Sequence, residues 1–146
     1  MSFYKPDHFE LYELVPETVY KSVSHVKLWQ CFDQRLLWTQ EQFRLRYGKM
    51  VCNTWWWGGR SQYRGYRTFD CEEGAEWSQH KFFGAIDSVL VEYDLGRVWE
   101  DIMEAKRLPR EEQGIYRHIT CIEMGKKVTW LHYDTRNWNG LLIVRP

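Results

Sequence analysis

Residues 85–107, AIDSVLVEYDLGRVWEDIMEAKR, decide the fold class. Residues 85–93 read as a buried strand, with Ile86, Val89 and Val91 as its apolar side chains. Asp94 then offers an N-cap, and residues 95–107 carry an apolar stripe of Val98, Trp99, Ile102 and Met103 at helical spacing. Pro109 follows the end of that helix. Working back, Asp33 is a second N-cap, for a helix to about Tyr47, with Leu36, Leu37, Phe43 and Tyr47 mostly on one face and Gly48 after it. Residues 50–54 follow as a short strand. Working forward, residues 116–123 and 128–134 read as two strands joined by a tight turn at Gly125 and Lys126. Residues 141–144 form a last short strand. Two helices and about five strands in mixed order predict a single α+β domain with a small, mainly antiparallel sheet, not a doubly wound parallel one.

Length and composition agree with this reading. At 146 residues the chain has the size of one domain and buries about two thirds of its unfolded surface. Hydrophobic residues make up 44% and charged residues 27%, which excludes a disordered chain. Twenty Lys and Arg balance twenty Asp and Glu, which argues against nucleic acid or anionic lipid as a partner held by bulk charge. Mean hydropathy is −0.61 and no apolar run approaches a membrane span. Residues 1–11 are charged and aromatic, unlike a secretory signal. Residues 1–30 form an entry segment, and 1–24 of it read as extended because Pro6 and Pro16 oppose helix. The cysteines Cys31, Cys52, Cys71 and Cys121 are scattered, which predicts free thiols, with Cys31 and Cys121 in the core.

Residues 55–78, rich in Gly, Arg, Trp and Tyr, have no clear period. A loop that long in a small domain is more often functional than idle. His80 follows it, Asp87 lies seven residues on, and His132 lies in the late strand pair. His and carboxylate are ligands that zinc accepts, and three of them leave one position for water. By spacing alone each is as readily a surface or hydrogen-bonded residue.

The flanks of these positions resemble a known family. Ser78-Gln79-His80, with Ala85 and Asp87, resembles the first zinc motif of the zinc D-alanyl-D-alanine carboxypeptidase family, cell-wall peptidases with a Hedgehog-like zinc peptidase fold. Trp130-Leu131-His132-Tyr133-Asp134 resembles the second motif. The likeness covers residues 33–136, and the run from Asn53 through Trp57-Gly58-Gly59 to Gly65-Tyr66-Arg67 looks most like the phage-type members.

The resemblance implies one Zn²⁺ per chain, held by His80, Asp87 and His132. It implies that Arg67, with Arg60 and Arg64 as rivals in the same loop, binds substrate and steadies a developing oxyanion. It implies a substrate contact for Ser78, which otherwise reads as a turn residue. Trp57, with Trp55, Trp56, Tyr63 and Tyr66, is expected to wall a cleft for a peptide stem or glycan. Two departures stand out. The family's Gly three residues after the first His is Phe83 here, with Gly84 one place later, and the Glu expected three residues before the last His is Thr129. The proton acceptor is then expected to be Asp134 ahead of Glu123 or His118, unless Asp134 only orients a ligand and these groups have no catalytic part.

The function implied is a zinc-dependent, phage-encoded hydrolase of peptidoglycan stem peptides, of carboxypeptidase or endopeptidase type, acting in the host cytoplasm or from the virion, with no membrane partner. The alternative is a non-cleaving domain of the same fold that serves as a phage structural, wall-binding or host-factor-binding protein. A peptidase acting on a substrate unrelated to the wall is a third reading.

Overall fold

The sheet is laid on one long helix. The computed structural model describes residues 2–146, and its central helix α3 spans Gln34–Tyr47. Asp33 caps it by accepting from the Arg35 backbone N–H, and Gly48 ends it at φ 82°, a conformation glycine adopts without strain. Leu36, Leu37, Phe43 and Tyr47 are all buried, as expected.

Five strands follow: β1 (Met50–Val51), β2 (Ala85–Leu90), β3 (Cys121–Glu123), β4 (Leu131–Asp134) and β5 (Leu142–Val144). Their order is β1-β2-β4-β3-β5. All pairs are antiparallel except β3 with β5. The chain is thus a single α+β domain with a mixed, mainly antiparallel sheet. Helix α4 (Leu95–Ala105) follows β2, with the Asp94 side chain accepting from the Arg97 N–H.

Side chains alternate along β2 and β4. Ile86, Leu131 and Tyr133 belong to the hydrophobic core, and Phe43 of α3 packs on Tyr133 with ring centroids 5.3 Å apart. Between these apolar groups lies a closed polar network. Gln40 of α3 donates to Ser88 at 2.8 Å and accepts from the Tyr133 hydroxyl at 2.6 Å. Every buried polar atom there has a partner, as low-dielectric burial demands.

Several expectations fail here. The entry segment is not extended: it contains a 3-10 turn (Leu11–Glu13) and helices α1 (Glu17–Ser22) and α2 (His25–Cys31). The described residues therefore contain four α-helices, not two. Pro16 does not oppose helix α1, because it stands at the N-cap, where a missing N–H is harmless. Leu11, Leu14, Val19, Leu28 and Trp29 are buried, and this packing stabilises helices too short to persist alone. Cys31 is exposed at the end of α2 rather than in the core, although all four thiols are free and Cys121 is buried. Among the described residues, no helix is long and apolar enough to cross a membrane.

The expected hairpin is also shorter. Tyr116 sits in a 3-10 turn (Gly114–Tyr116), and strand β3 begins only at Cys121. Residues 124–130 connect β3 to β4, so the strands are not joined by a tight turn at Gly125 and Lys126 alone. Cys121 faces Asp134 and Ile122 faces Tyr133. Continued by one residue, that register sets Glu123 across from His132.

Candidate metal centre

Asp87 and His132 are direct cross-strand partners on the sheet face turned away from α3. His80 reaches them from a 3-10 turn (Gln79–Phe82) just before β2. All three are buried, and one ligand atom from each lies within 4.8 Å of the others. Asp87 Oδ1 is 3.3 Å from His80 Nε2 and 2.6 Å from His132 Nδ1. Among the described residues this is the one group of His, Cys, Asp and Glu gathered closely enough to hold a metal ion.

Each imidazole is oriented by its other nitrogen. His80 Nδ1 donates to the Gly65 carbonyl at 2.7 Å, which leaves Nε2 free to ligate. Gly65 is required there, since a Cβ would lie 2.1 Å from the Leu14 carbonyl oxygen. His132 Nε2 lies 3.3 Å from Asp134 Oδ2, which turns Nδ1 toward Asp87. Asp134 is fully buried and is held by Arg136, through Nε at 2.8 Å and a terminal nitrogen at 2.6 Å. Arg67 donates to Asp87 Oδ2 at 3.2 Å and to the Tyr63 carbonyl at 2.6 Å. Arginines thus hold the acidic partners at both ends of the row Arg67, Asp87, His132, Asp134, Arg136. Two imidazole nitrogens and one carboxylate oxygen, each with an orienting partner, fit a divalent metal of borderline softness.

The electrostatics follow from this row. Burial opposes ionisation of Asp87, but the adjacent His80 and His132 outweigh it and hold the carboxyl well below the usual range. Burial likewise opposes charge on His132, yet Asp134 and Asp87 lift it to about 9. Asp134, with burial overcome by Arg136 and His132, is held down at about 2. A site that stabilises a proton on His132 this way also attracts a metal cation, which competes with that proton.

No family model, curated protein or solved structure matches the chain.

The loop between the ligands keeps its turn despite the displaced glycine. Phe83 itself takes the left-handed conformation, at φ 56° and ψ 28°. Its ring lies flat on Tyr66, with centroids 3.8 Å apart and planes 6° from parallel, and stands edge-on to Phe32 at 5.0 Å. A left-handed side chain costs about 1–2 kcal/mol, and two aromatic pairs return about as much.

A cleft opens beside the three ligands. Its inner lobe, about 420 Å³, is lined by His80, Asp87, His132, Glu123, Trp130 and Arg136. An outer lobe of similar size is lined by Arg60, Arg64, Tyr63 and Thr129, and the lobes share Arg67, Glu73, Asp87 and Trp130. Glu123 faces the inner lobe and accepts from Trp130 Nε1 at 3.0 Å through one oxygen only. Ser78 lines the inner lobe too, where its hydroxyl accepts from the His80 backbone N–H at 3.3 Å. Thr129 is exposed in the outer lobe.

Of the aromatic residues expected to wall the cleft only Tyr63 does so, and Trp55, Trp56, Trp57, Tyr66 and His118 line neither lobe. Trp55 Nε1 donates to the Val15 carbonyl at 2.9 Å and Trp56 stacks on Tyr12, and these contacts carry the whole Trp turn to the entry segment. His118 instead stands edge-on to Trp38 at 5.5 Å. Sequence reasoning missed Arg136, Trp130 and the Gly65 carbonyl. Arg136 was within reach, since it lies two residues beyond Asp134 as Asp134 does beyond His132. The Gly65 contact joins distant segments and leaves no local signal. A larger hollow, about 1010 Å³, lies between α3, α4 and the Gly114–Tyr116 turn and is lined by none of the three candidate ligands.

Proposed function

We propose that this protein is a zinc-dependent peptidase of the D-alanyl-D-alanine carboxypeptidase type, phage-encoded, that hydrolyses stem-peptide bonds of peptidoglycan. The observation that carries the reading is the buried His80, Asp87 and His132 triad at the floor of a cleft that also holds Glu123. His80, Asp87 and His132 would hold the zinc, which would supply a Lewis acid and make water more acidic at neutral pH. Glu123 stands in for the glutamate that Thr129 replaces. With Oε2 engaged by Trp130, Oε1 accepts the proton of the attacking water and passes it to the leaving amine. Asp134 is committed to Arg136 and His132, so it orients a ligand rather than carrying the proton. Arg67 is a positioning residue that steers Asp87, while Arg60 and Arg64 in the outer lobe present donors to the substrate's carbonyl and carboxylate groups.

The test is metal content of the purified protein beside His132→Ala, followed by cleavage of a D-Ala-D-Ala-terminated pentapeptide. One zinc per chain, lost in the variant, together with cleavage lost in Glu123→Gln, supports the reading. A wild type that takes up no zinc overturns it. A second reading is favoured by Thr129: a non-cleaving phage domain that binds a wall component or host factor. Zinc binding without cleavage of any stem peptide selects that reading.

A further inference from the structure

The metal cleft uses one end of the Trp- and Arg-rich loop, and the other end carries a second feature. Trp56 lies flat on Tyr12, with centroids 4.5 Å apart and planes 7° from parallel. Trp57 stands edge-on to Tyr12 at 5.5 Å, and Tyr20 packs edge-on against Trp55 and Trp56. These rings hold one another in place. Even so, Trp56 is 48% and Trp57 61% exposed. Two neighbouring indoles held in place by other rings yet half exposed form a contiguous aromatic patch, the kind of surface that stacks on a ligand.

Trp57 also walls a groove of about 430 Å³ that shares no lining residue with the metal cleft. Met50 and Val51 line it together with the polar side chains of Arg44, Lys49, His8 and Glu13. His8 is held by Glu41, and Arg44 acts on Glu13. Lys49 has no ion-pair partner among the described residues. The groove thus offers a flat indole, donors in slight excess of positive charge and one acceptor.

We infer that this aromatic platform and its groove bind an acidic oligosaccharide. The C–H face of a pyranose ring is apolar and lies on an indole, while its hydroxyl rim needs donors and acceptors beside that ring. The small excess of positive charge matches sparse acid groups on a sugar chain. A nucleic acid, with a charge on every residue, calls for a far more basic surface than a chain of zero net charge provides. The inference stands apart from the metal site and does not require peptidase activity.

The test titrates the protein with two probes, a hyaluronan hexasaccharide, acidic at every second ring, and neutral chitohexaose, and follows the indole N–H signals by NMR. The Trp56 and Trp57 signals are expected to shift saturably with the acidic sugar. Trp55, whose N–H is held by Val15, serves as internal control. Trp57→Ala, at an exposed ring, should weaken binding about tenfold, in line with the loss of one or two stacking contacts. Lys49→Gln, which leaves the core untouched, should weaken the acidic sugar several-fold and leave chitohexaose unchanged. No shift with either sugar overturns the inference. So does tighter binding of a six-nucleotide thymidine oligomer, or a concentration-dependent dimer that buries Trp57.

Discussion

The two faces of the β2–β4 pair are built from alternate residues of the same strands and are held together in opposite ways. On the α3 side, Ile86, Leu131 and Tyr133 join Phe43 in the hydrophobic core, and Ser88 and Tyr133 enter a neutral hydrogen-bond network closed on itself. On the cleft side, Asp87, His132 and Asp134 are held by charge, with Arg67 and Arg136 at the ends of the row. The first face needs nothing from outside. The second is a buried ionic row, which contributes little to stability when whole and is costly when one partner is removed. One strand pair therefore supplies the rigid core on one side and the group that could hold a metal ion on the other.

Breaking the core face should give the largest effect. Tyr133→Ala removes a fully buried ring and strands the Gln40 amide, so a loss of about 3–5 kcal/mol is expected, from the denaturant midpoint, with or without metal. Next comes the cleft face. Zinc at about a hundredfold over its Kd should stabilise the wild type by about 2.7 kcal/mol, and His80→Ala should abolish that increment. If zinc raises the midpoint of His80→Ala as much as that of wild type, the triad does not hold the ion. Arg136→Ala should weaken zinc by roughly 10–100-fold, because Asp134 loses the group that fixes it against His132. Calorimetric titration reads that loss directly.

The smallest effect concerns the core face and pH. Cys52, in the same network, is fully enclosed, and burial pushes its thiol up to about 12. Its folded pKa lies above its unfolded one, so the stabilisation is complete below about pH 9 and is lost as pH rises toward 12. In that window the unfolded chain releases the proton first, and stability falls by up to about 1.4 kcal/mol per pH unit from this group. Urea midpoints at pH 8, 9 and 10 under reducing conditions should show that slope reduced in Cys52→Ala.

Much of the first face was legible in sequence. The caps Asp33 and Asp94 and the helices after them lie within a residue or two of expectation, because capping and periodicity are local. The entry helices were not legible, since α1 and α2 draw their stability from burial of Val19, Leu28 and Trp29 in a core assembled from distant segments. The three ligands were named from their flanks, and the structure brings them together. The place of Glu123 beside His132 was not legible, because it depends on a register set across the longer 124–130 connection rather than by a tight turn. Trp57 was misplaced because a ring-rich loop does not announce which of two neighbouring surfaces its rings will join.

Gly65 ties the entry segment to the metal triad. Its carbonyl orients His80, its Cα lies against the Leu14 backbone, and the next N–H, of Tyr66, donates to that same Leu14 oxygen at 2.7 Å. Occupancy of the triad and docking of residues 11–15 are therefore thermodynamically linked, and each favours the other. A protease that cuts the entry segment only when it swings away will find fewer open molecules once the triad is loaded. The rate of that cut then reports on a site its cleavage point never touches.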